Sequence, residues 1–377
     1  MGRRFAAIGM GVVCAAVLGT GVASASSWVI QSTPNPTDSR GSVLRGVSCP
    51  STTACTAVGG YTNSSRGAVT LAARWNGSGW ALESTPNPTG ASLIVMRAIS
   101  CPSSTACTAV GEYFNSAGAR VTLAERWNGS SWAIQSTPNP TGSQDSVLYG
   151  VSCPSTTACI AVGSNDLAER WNGSRWAIQS TPNPTGALST ILYGVSCPST
   201  TACTAAGEYF NGSTEVTLAE RWNGSRWAIQ STPNPTGGQR NILWGISCPS
   251  TTACTAAGSY DNSSGYAVPL AERWNGSSWA IQSSPTPNPG GDSLLFGVSC
   301  PSITACTAAG FYLNDSGVDV TLAERWNGSS WAIQSTPNPT GARSNILYGV
   351  SCPSTTACTA VGDYKSSRLI KTLAEHS

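Results

Sequence analysis

Leu148-Tyr-Gly-Val-Ser-Cys153, Ala158-Cys-Ile-Ala-Val-Gly163, Asp166-Leu-Ala-Glu-Arg-Trp171 and Arg175-Trp-Ala-Ile-Gln-Ser180 follow one another with little between them. Each run is short, apolar on alternate positions and bounded by Gly, Ser, Asn or Pro, as strands are. The third has helical propensity in isolation, but its length and the Asn172-Gly173 after it favour a strand. Trp-Asn-Gly-Ser-x-Trp joins the third and fourth runs as a hairpin. A two-residue or a four-residue loop leaves both Trp on one face.

The same four runs recur along the chain. Its cysteines show the period. Cys49 and Cys55, Cys101 and Cys107, Cys153 and Cys159, Cys197 and Cys203, Cys248 and Cys254, Cys300 and Cys306, and Cys352 and Cys358 share one spacing, C-x5-C. Successive first cysteines lie 52, 52, 44, 51, 52 and 52 residues apart. Four strands in a unit repeated at this length predict an all-β chain, a seven-bladed β-propeller with four antiparallel strands per blade. The ends agree. Trp28 to Pro34 match the fourth run, and the last unit stops after a third run at Thr372-Leu-Ala-Glu-His376. The N-terminal strand is therefore expected to complete the C-terminal blade, which leaves fewer edges exposed. His376 and Ser377 replace the usual Arg-Trp, so Trp28 should lack a hairpin partner ring.

Arg3 and Arg4 precede an apolar run, and Ala23-Ser-Ala25 offers a small-x-small cleavage site. Residues 1–25 are expected to be a signal peptide cut after Ala25, and 26–377 the propeller, exported and without a membrane span. Removing the signal removes Cys14 and leaves an even set of cysteines at fixed spacing, which predicts seven disulfides in a secreted protein. Pro-Ser-Thr-Thr-Ala between them is turn composition, and a five-residue loop would set the two cysteines opposite each other. Each bridge closes a short loop, worth roughly 2 kcal/mol by chain entropy. Neither the spacing nor a histidine partner fits zinc.

Composition excludes several functions. The chain has 377 residues, 20 Lys+Arg against 18 Asp+Glu, and one histidine, His376. The balance gives no basic groove for nucleic acid. The single histidine speaks against His-based metal sites and Ser/His or Cys/His catalysis. No Walker, G-x-S-x-G or H-E-x-x-H motif occurs, and nothing calls for a cofactor.

The S-C-x-S-x-x-x-C-x-A-V-G and W-N-G-x-x-W motifs resemble those of secreted propeller-repeat proteins of the actinobacterial type, over the whole chain after the signal. The chain is more loosely similar to kelch and galactose-oxidase-type propellers. That oxidase's Tyr/His copper set has no counterpart here, so the resemblance implies an architecture and not that activity.

Repeat-fixed residues are expected to be structural. Glu125, Glu169, Glu220, Glu272, Glu324 and Glu375 occupy one position of the third strand, where unit one has Ala73. They should bond backbone or a neighbouring Arg. The Trp pairs should pack between blades. Pro-Asn-Pro segments such as Pro138-Asn-Pro140 are rigid turns. Glu112, Glu208 and Asp363, in the Gly-x-Tyr stretch, are expected to be solvated loop residues. Asp315 and Asp319 match a calcium loop only weakly.

Function should lie where the repeat breaks its own pattern. With L-x-G-V-S-C as the innermost strand, the loops entering it and those joining strands two and three share one variable face. Unit three has lost eight residues there. The x of L-x-G varies: Arg45, Arg97, Tyr149, Tyr193, Trp244, Phe296 and Tyr348. Such a ring at the channel mouth would suit ligand binding, since aromatics stack on sugar faces and Arg donates to hydroxyls or carboxylates. These features predict a monomeric, secreted, non-catalytic binding module for glycans or cell-surface polymers. The alternatives are a polysaccharide-degrading hydrolase or lyase, and an envelope protein-interaction scaffold.

Overall fold

The structure is a computed structural model describing residues 27–377, so the expected signal peptide lies outside the described residues. Every described element is a strand. Unit four shows the plan: Ser189–Ser199, Ala202–Phe210, Glu215–Trp222 and Trp227–Gln230 pair antiparallel in chain order. This pattern repeats in five four-stranded sheets and one of eight strands. In the larger sheet a single parallel pair, Asp319 with Ser344, links units six and seven. Counted by sheets there are six groups, and counted by repeats, seven. Val29–Gln31 pairs antiparallel with Ile370–His376, so the first described strand is the fourth strand of unit seven. Trp28 is buried beside it and donates its indole N–H to Gln334 Oε1 at 3.0 Å. Among the described residues no hydrogen-bonded ladder joins unit seven to unit one, and the two units meet through packing and side-chain hydrogen bonds. Leu44 and Trp80 share a core cluster with Val361 and Ala374, Cys49 N donates to Ser351 Oγ at 2.9 Å, and Trp80 Nε1 to Gln31 Oε1 at 2.8 Å.

Units pack face against face, which is why both sides of the second and third strands are apolar. Ile160, Val162 and Ala168 of unit three lie in one cluster with Leu192, Leu218, Trp222 and Trp227 of unit four. The third-strand Arg reaches across as well. Arg126 sets its guanidinium 4.9 Å from the Trp171 ring centre and donates to the Thr156 carbonyl at 2.7 Å. Arg74 and Arg273 do the same one unit on, at Trp127 and Ser104 and at Trp326 and Ile303. A planar guanidinium can stack and donate at once.

Glycine is required where first and second strands cross. A Cβ on Gly207 would lie 1.9 Å from the Ile191 carbonyl oxygen, and the equivalent glycines of the other units meet the same obstacle. The Asn of Pro-Asn-Pro does more than turn the chain. Asn139 Oδ1 accepts from Thr122 N at 3.0 Å, tying the outer turn to the third strand, as Asn234 does for Thr217.

Two local expectations are corrected. The first concerns the loop between the cysteines. All seven pairs are bonded: Cys49 to Cys55, Cys101 to Cys107, Cys153 to Cys159, Cys197 to Cys203, Cys248 to Cys254, Cys300 to Cys306 and Cys352 to Cys358. They are not joined across a five-residue loop, however. Ser51 already pairs with Ala54, and Ser48 pairs with Thr56, so Cys49 and Pro50 oppose Cys55 in a β-bulge above a two-residue turn. The same register slip sets Cys107, Cys159, Cys203, Cys254, Cys306 and Cys358 against a Cys-Pro bulge in their units. Proline is tolerated at such a bulge because it owes no ladder hydrogen bond. The second correction is that the repeated glutamates do not bond Arg. Glu125, Glu169 and Glu220 are fully buried with both carboxylate oxygens unpartnered, Glu272 and Glu375 are as deeply buried beside the Thr217 and Thr321 hydroxyls, and Glu324 accepts from Ser284 Oγ. Neighbours on a strand point to opposite faces, so the adjacent Arg is out of reach. The Trp-Asn-Gly hairpin has the four-residue loop: Trp75 pairs with Trp80, with ring centres 5.9 Å apart.

Candidate functional site

The site begins with a second bulge. Leu44 pairs with Gly59, and Gly46 with Val58, leaving Arg45 as the extra residue of its strand. The same slip falls at Arg97, Tyr149, Tyr193, Trp244, Phe296 and Tyr348. A bulge re-aims the side chain it carries. Here it turns all seven variable side chains toward one opening of about 200 Å³, which they line together. Beneath them the innermost strands approach closely. A Cβ on Gly194 would meet Gly245 Cα at 3.3 Å, and one on Gly349 would meet Gly46 Cα at 3.2 Å. Small residues at this position let the strands converge while the bulge residues fan out above.

Five of the seven make an aromatic crescent. Ring centres are 5.2 Å apart for Tyr149–Tyr193, 4.4 Å for Tyr193–Trp244, 5.8 Å for Trp244–Phe296 and 5.4 Å for Phe296–Tyr348. Tilted and edge-on pairs at these distances are favourable for aromatic quadrupoles. Each end carries a guanidinium: Arg97 lies 5.6 Å from the Tyr149 centre, and Arg45 5.2 Å from that of Tyr348.

A second circle stands behind the first. In six units the x of Gly-x-Tyr on the second strand follows the bulge residue by fifteen positions, and in five of them the two side chains meet. Arg97 binds Glu112 through Nε at 3.0 Å to both carboxylate oxygens and through its terminal nitrogen at 2.5 Å. Tyr193 OH donates to Glu208 Oε1 at 3.1 Å, and Trp244 Nε1 to Ser259 Oγ at 3.3 Å. Phe296 stacks on Phe311 with centres 5.9 Å apart. Glu112, Glu208 and Asp363 are thus not solvated loop residues. They are strand residues with only 3%, 8% and 8% of their surface exposed, and they set the electrostatics of the mouth.

Burial pushes the Glu208 carboxyl up to about 7, against the opposing pull of the Tyr193 hydroxyl, and pushes Asp363 up to about 6, against Arg45 and Tyr348. Burial raises the Tyr348 phenol to about 12, helped by Asp363, and pushes Tyr193 up too, so both remain neutral donors. Burial weakens Arg97's hold on its proton, but the Glu112 hydrogen bonds and charge more than reverse this. Arg45 has no hydrogen-bonded carboxylate, and burial followed by repulsion from Arg97 lowers it, outweighing the pull of Tyr348, Asp363 and Glu112. It remains a cation, since arginine does not deprotonate in proteins.

The shortened hairpin of unit three stands beside Tyr149. Its third strand, Ala168–Trp171, is half the length of Glu215–Trp222 next door. Asp315 and Asp319 gather no metal-binding group, and no cluster of three or more His, Cys, Asp or Glu forms among the described residues. No described helix is long and apolar enough to cross a membrane. Seven disulfides suit an oxidising, extracellular environment.

No family model matches the chain, and no curated protein matches it. Solved structures do. The chain is similar to YCF48 bound to D1 peptide, with TM-score 0.54 and 11% identity over 93% of this chain and 99% of that one. It is similar to YCF48 from Cyanidioschyzon merolae, with TM-score 0.55 and 12% identity over 93% and 98%. It is also similar to the WD40 repeats of RRP9, with TM-score 0.57 and 10% identity over 93% and 98%. These neighbours are WD40 and YCF48 propellers, and neither the actinobacterial-type nor the looser kelch-like resemblance of the sequence motifs is found among them. At such identity the likeness speaks for fold alone, and the fold is a β-propeller.

Proposed function

We propose that this chain is a non-catalytic protein-interaction scaffold that seats a peptide segment of its partner in the central mouth. The observation that carries the reading is the mouth itself. The repeat departs from its pattern at one bulge per unit, and the seven departures converge on a single opening. An opening of about 200 Å³ suits one side chain of a partner. A propeller neighbour, YCF48, was solved with a peptide bound, which supports a protein partner over the glycan first expected. We further read the molecule as a seven-bladed ring closed by its N-terminal strand, exported by a signal cleaved after Ala25, monomeric, and related to the secreted propeller-repeat proteins its motifs resemble.

A glycan ligand is the second reading, favoured by the five adjoining rings, whose faces could stack on sugars. Peptide display and a glycan array on the same protein separate the two. The scaffold reading predicts enriched peptides whose binding is lost in Tyr193→Ala and Trp244→Ala. Glycan binding with that sensitivity, and no peptide enriched, would replace it.

A further inference from the structure

Five bulge residues have a partner suited to them at the following second-strand position, and Arg45 has only a glycine there. Arg97 has Glu112, Tyr193 has Glu208, Trp244 has Ser259 and Phe296 has Phe311. Tyr348 has Asp363, and at Tyr149 the equivalent residue, Ser164, accepts from Val147 N at 3.0 Å instead. Arg45 faces Gly60. Among the described residues its guanidinium makes no salt bridge and no hydrogen bond; it lies against the face of Tyr348, with the Asp363 carboxyl near enough to attract it but not bonded to it. A ring face satisfies the charge in part and leaves the in-plane N–H donors of the fork free. The missing side chain at Gly60 also leaves space. A groove lined by Gly41, Val43, Gly60, Tyr61, Val95 and Ile370 runs outward from Arg45, so this guanidinium borders both the groove and the central mouth.

The structure assigns Arg45 as the group that receives a carboxylate of the bound peptide, with an aromatic or apolar side chain of that peptide resting on the crescent from Tyr348 to Tyr193. A planar fork of donors matches a carboxylate in two parallel hydrogen bonds. The molecule carries its own precedent, since Arg97 holds Glu112 in this manner one unit away. In unit one the ligand would supply the carboxylate that unit two carries internally. This assignment rests on the peptide-scaffold reading and deepens it.

Calorimetric titration with three probes tests it: acetyl-Gly-Gly-Tyr as the free acid, the same peptide as the C-terminal amide, and acetyl-Asp-Gly-Tyr amide. The free acid should bind about tenfold or more tightly than the amide, and the Asp peptide shows whether a side-chain carboxylate serves equally. Arg45→Gln should abolish the difference between acid and amide. Gly60→Glu should abolish it too, by giving Arg45 the partner that Arg97 has. A Cβ at Gly60 approaches nothing closer than the Val69 carbonyl at 3.3 Å, so this second variant is accommodated by a small shift. Trp244→Ala should weaken both peptides and preserve their ratio. Equal binding of acid and amide, or a ratio unchanged in both Arg45→Gln and Gly60→Glu, would overturn the assignment, as would a free acid that does not bind. If display-selected peptides still bind at the mouth without preferring a carboxylate, the assignment to Arg45 fails and the scaffold reading stands. If no peptide binds and glycans do, the scaffold reading itself has failed.

Discussion

Glu125→Gln should make the protein more stable at neutral and alkaline pH, although it removes a residue six units repeat. The Glu125 carboxylate is fully buried with neither oxygen bonded, and burial raises it from 4.5 to about 8. The carboxyl is therefore neutral in the folded protein at pH 7, while the unfolded chain is ionised. Below pH 4.5 both states hold the proton and pH has no effect through this group. From there to about pH 8 the folded state alone retains it, so stability falls by about 1.4 kcal/mol per pH unit. The loss levels off above about pH 8 at roughly 5 kcal/mol. Glu169, Glu220, Glu272 and Glu375 are raised to about 8 and Glu324 to about 7 by the same burial. Six full penalties would exceed the roughly 5–15 kcal/mol that holds a domain folded, so ionising the first few should already loosen the inter-unit faces. Gln keeps the shape and cannot ionise. Urea titrations at pH 5, 6, 7 and 8 compare the two proteins. Wild type should lose stability steadily as pH rises, and Glu125→Gln should lose about 1.4 kcal/mol less per unit, ending the more stable at pH 8. Parallel curves would refute the reasoning, since they would mean that Glu125 is ionised in the folded protein.

Gly207→Ala should destabilise by more than about 3 kcal/mol or prevent folding, read by the denaturant midpoint, because its Cβ would fall 1.9 Å from the Ile191 oxygen. Replacing both Cys197 and Cys203 by Ala should cost about 2 kcal/mol in the same assay while leaving the far-UV spectrum in place, since one short loop is released and six bridges remain. The mouth should bind carboxylates better at pH 5 than at pH 7. Asp363, raised to about 6, faces Arg45 and Tyr348, with Arg97 and Glu112 beyond, and its ionisation adds a competing negative charge. Titrating the free-acid peptide across this range should show weakening as pH rises, and Asp363→Asn should flatten the dependence.

Much of this architecture is visible in one dimension because the chain prints it seven times. Four strand runs, two Trp and two Cys per unit leave little freedom of assignment, and variation at the x of L-x-G singles out the mouth. What the residues alone did not reveal is register. A bulge is a relation between two strands, so neither the one at Arg45 nor the one at Cys49-Pro50 is visible in either strand alone. The second circle was missed for the same reason, and Glu112 looked like a loop residue. The signal was present: at a constant offset of fifteen residues, Arg97 meets Glu112, Phe296 meets Phe311, and Arg45 meets a glycine. The buried glutamates were misjudged because an Arg next in sequence looks like a partner, while strand alternation sends it to the opposite face.

The central claim is that ligand enters at the mouth, and Trp244 reports on it directly. It is the one Trp of fourteen that lines the opening. Its indole N–H resonance, assigned with Trp244→Phe, can be followed while a display-selected peptide is titrated. Entry at the mouth predicts that this resonance shifts with saturation while the other thirteen stay in place. Binding that leaves Trp244 unmoved and shifts the hairpin Trp signals instead would contradict it.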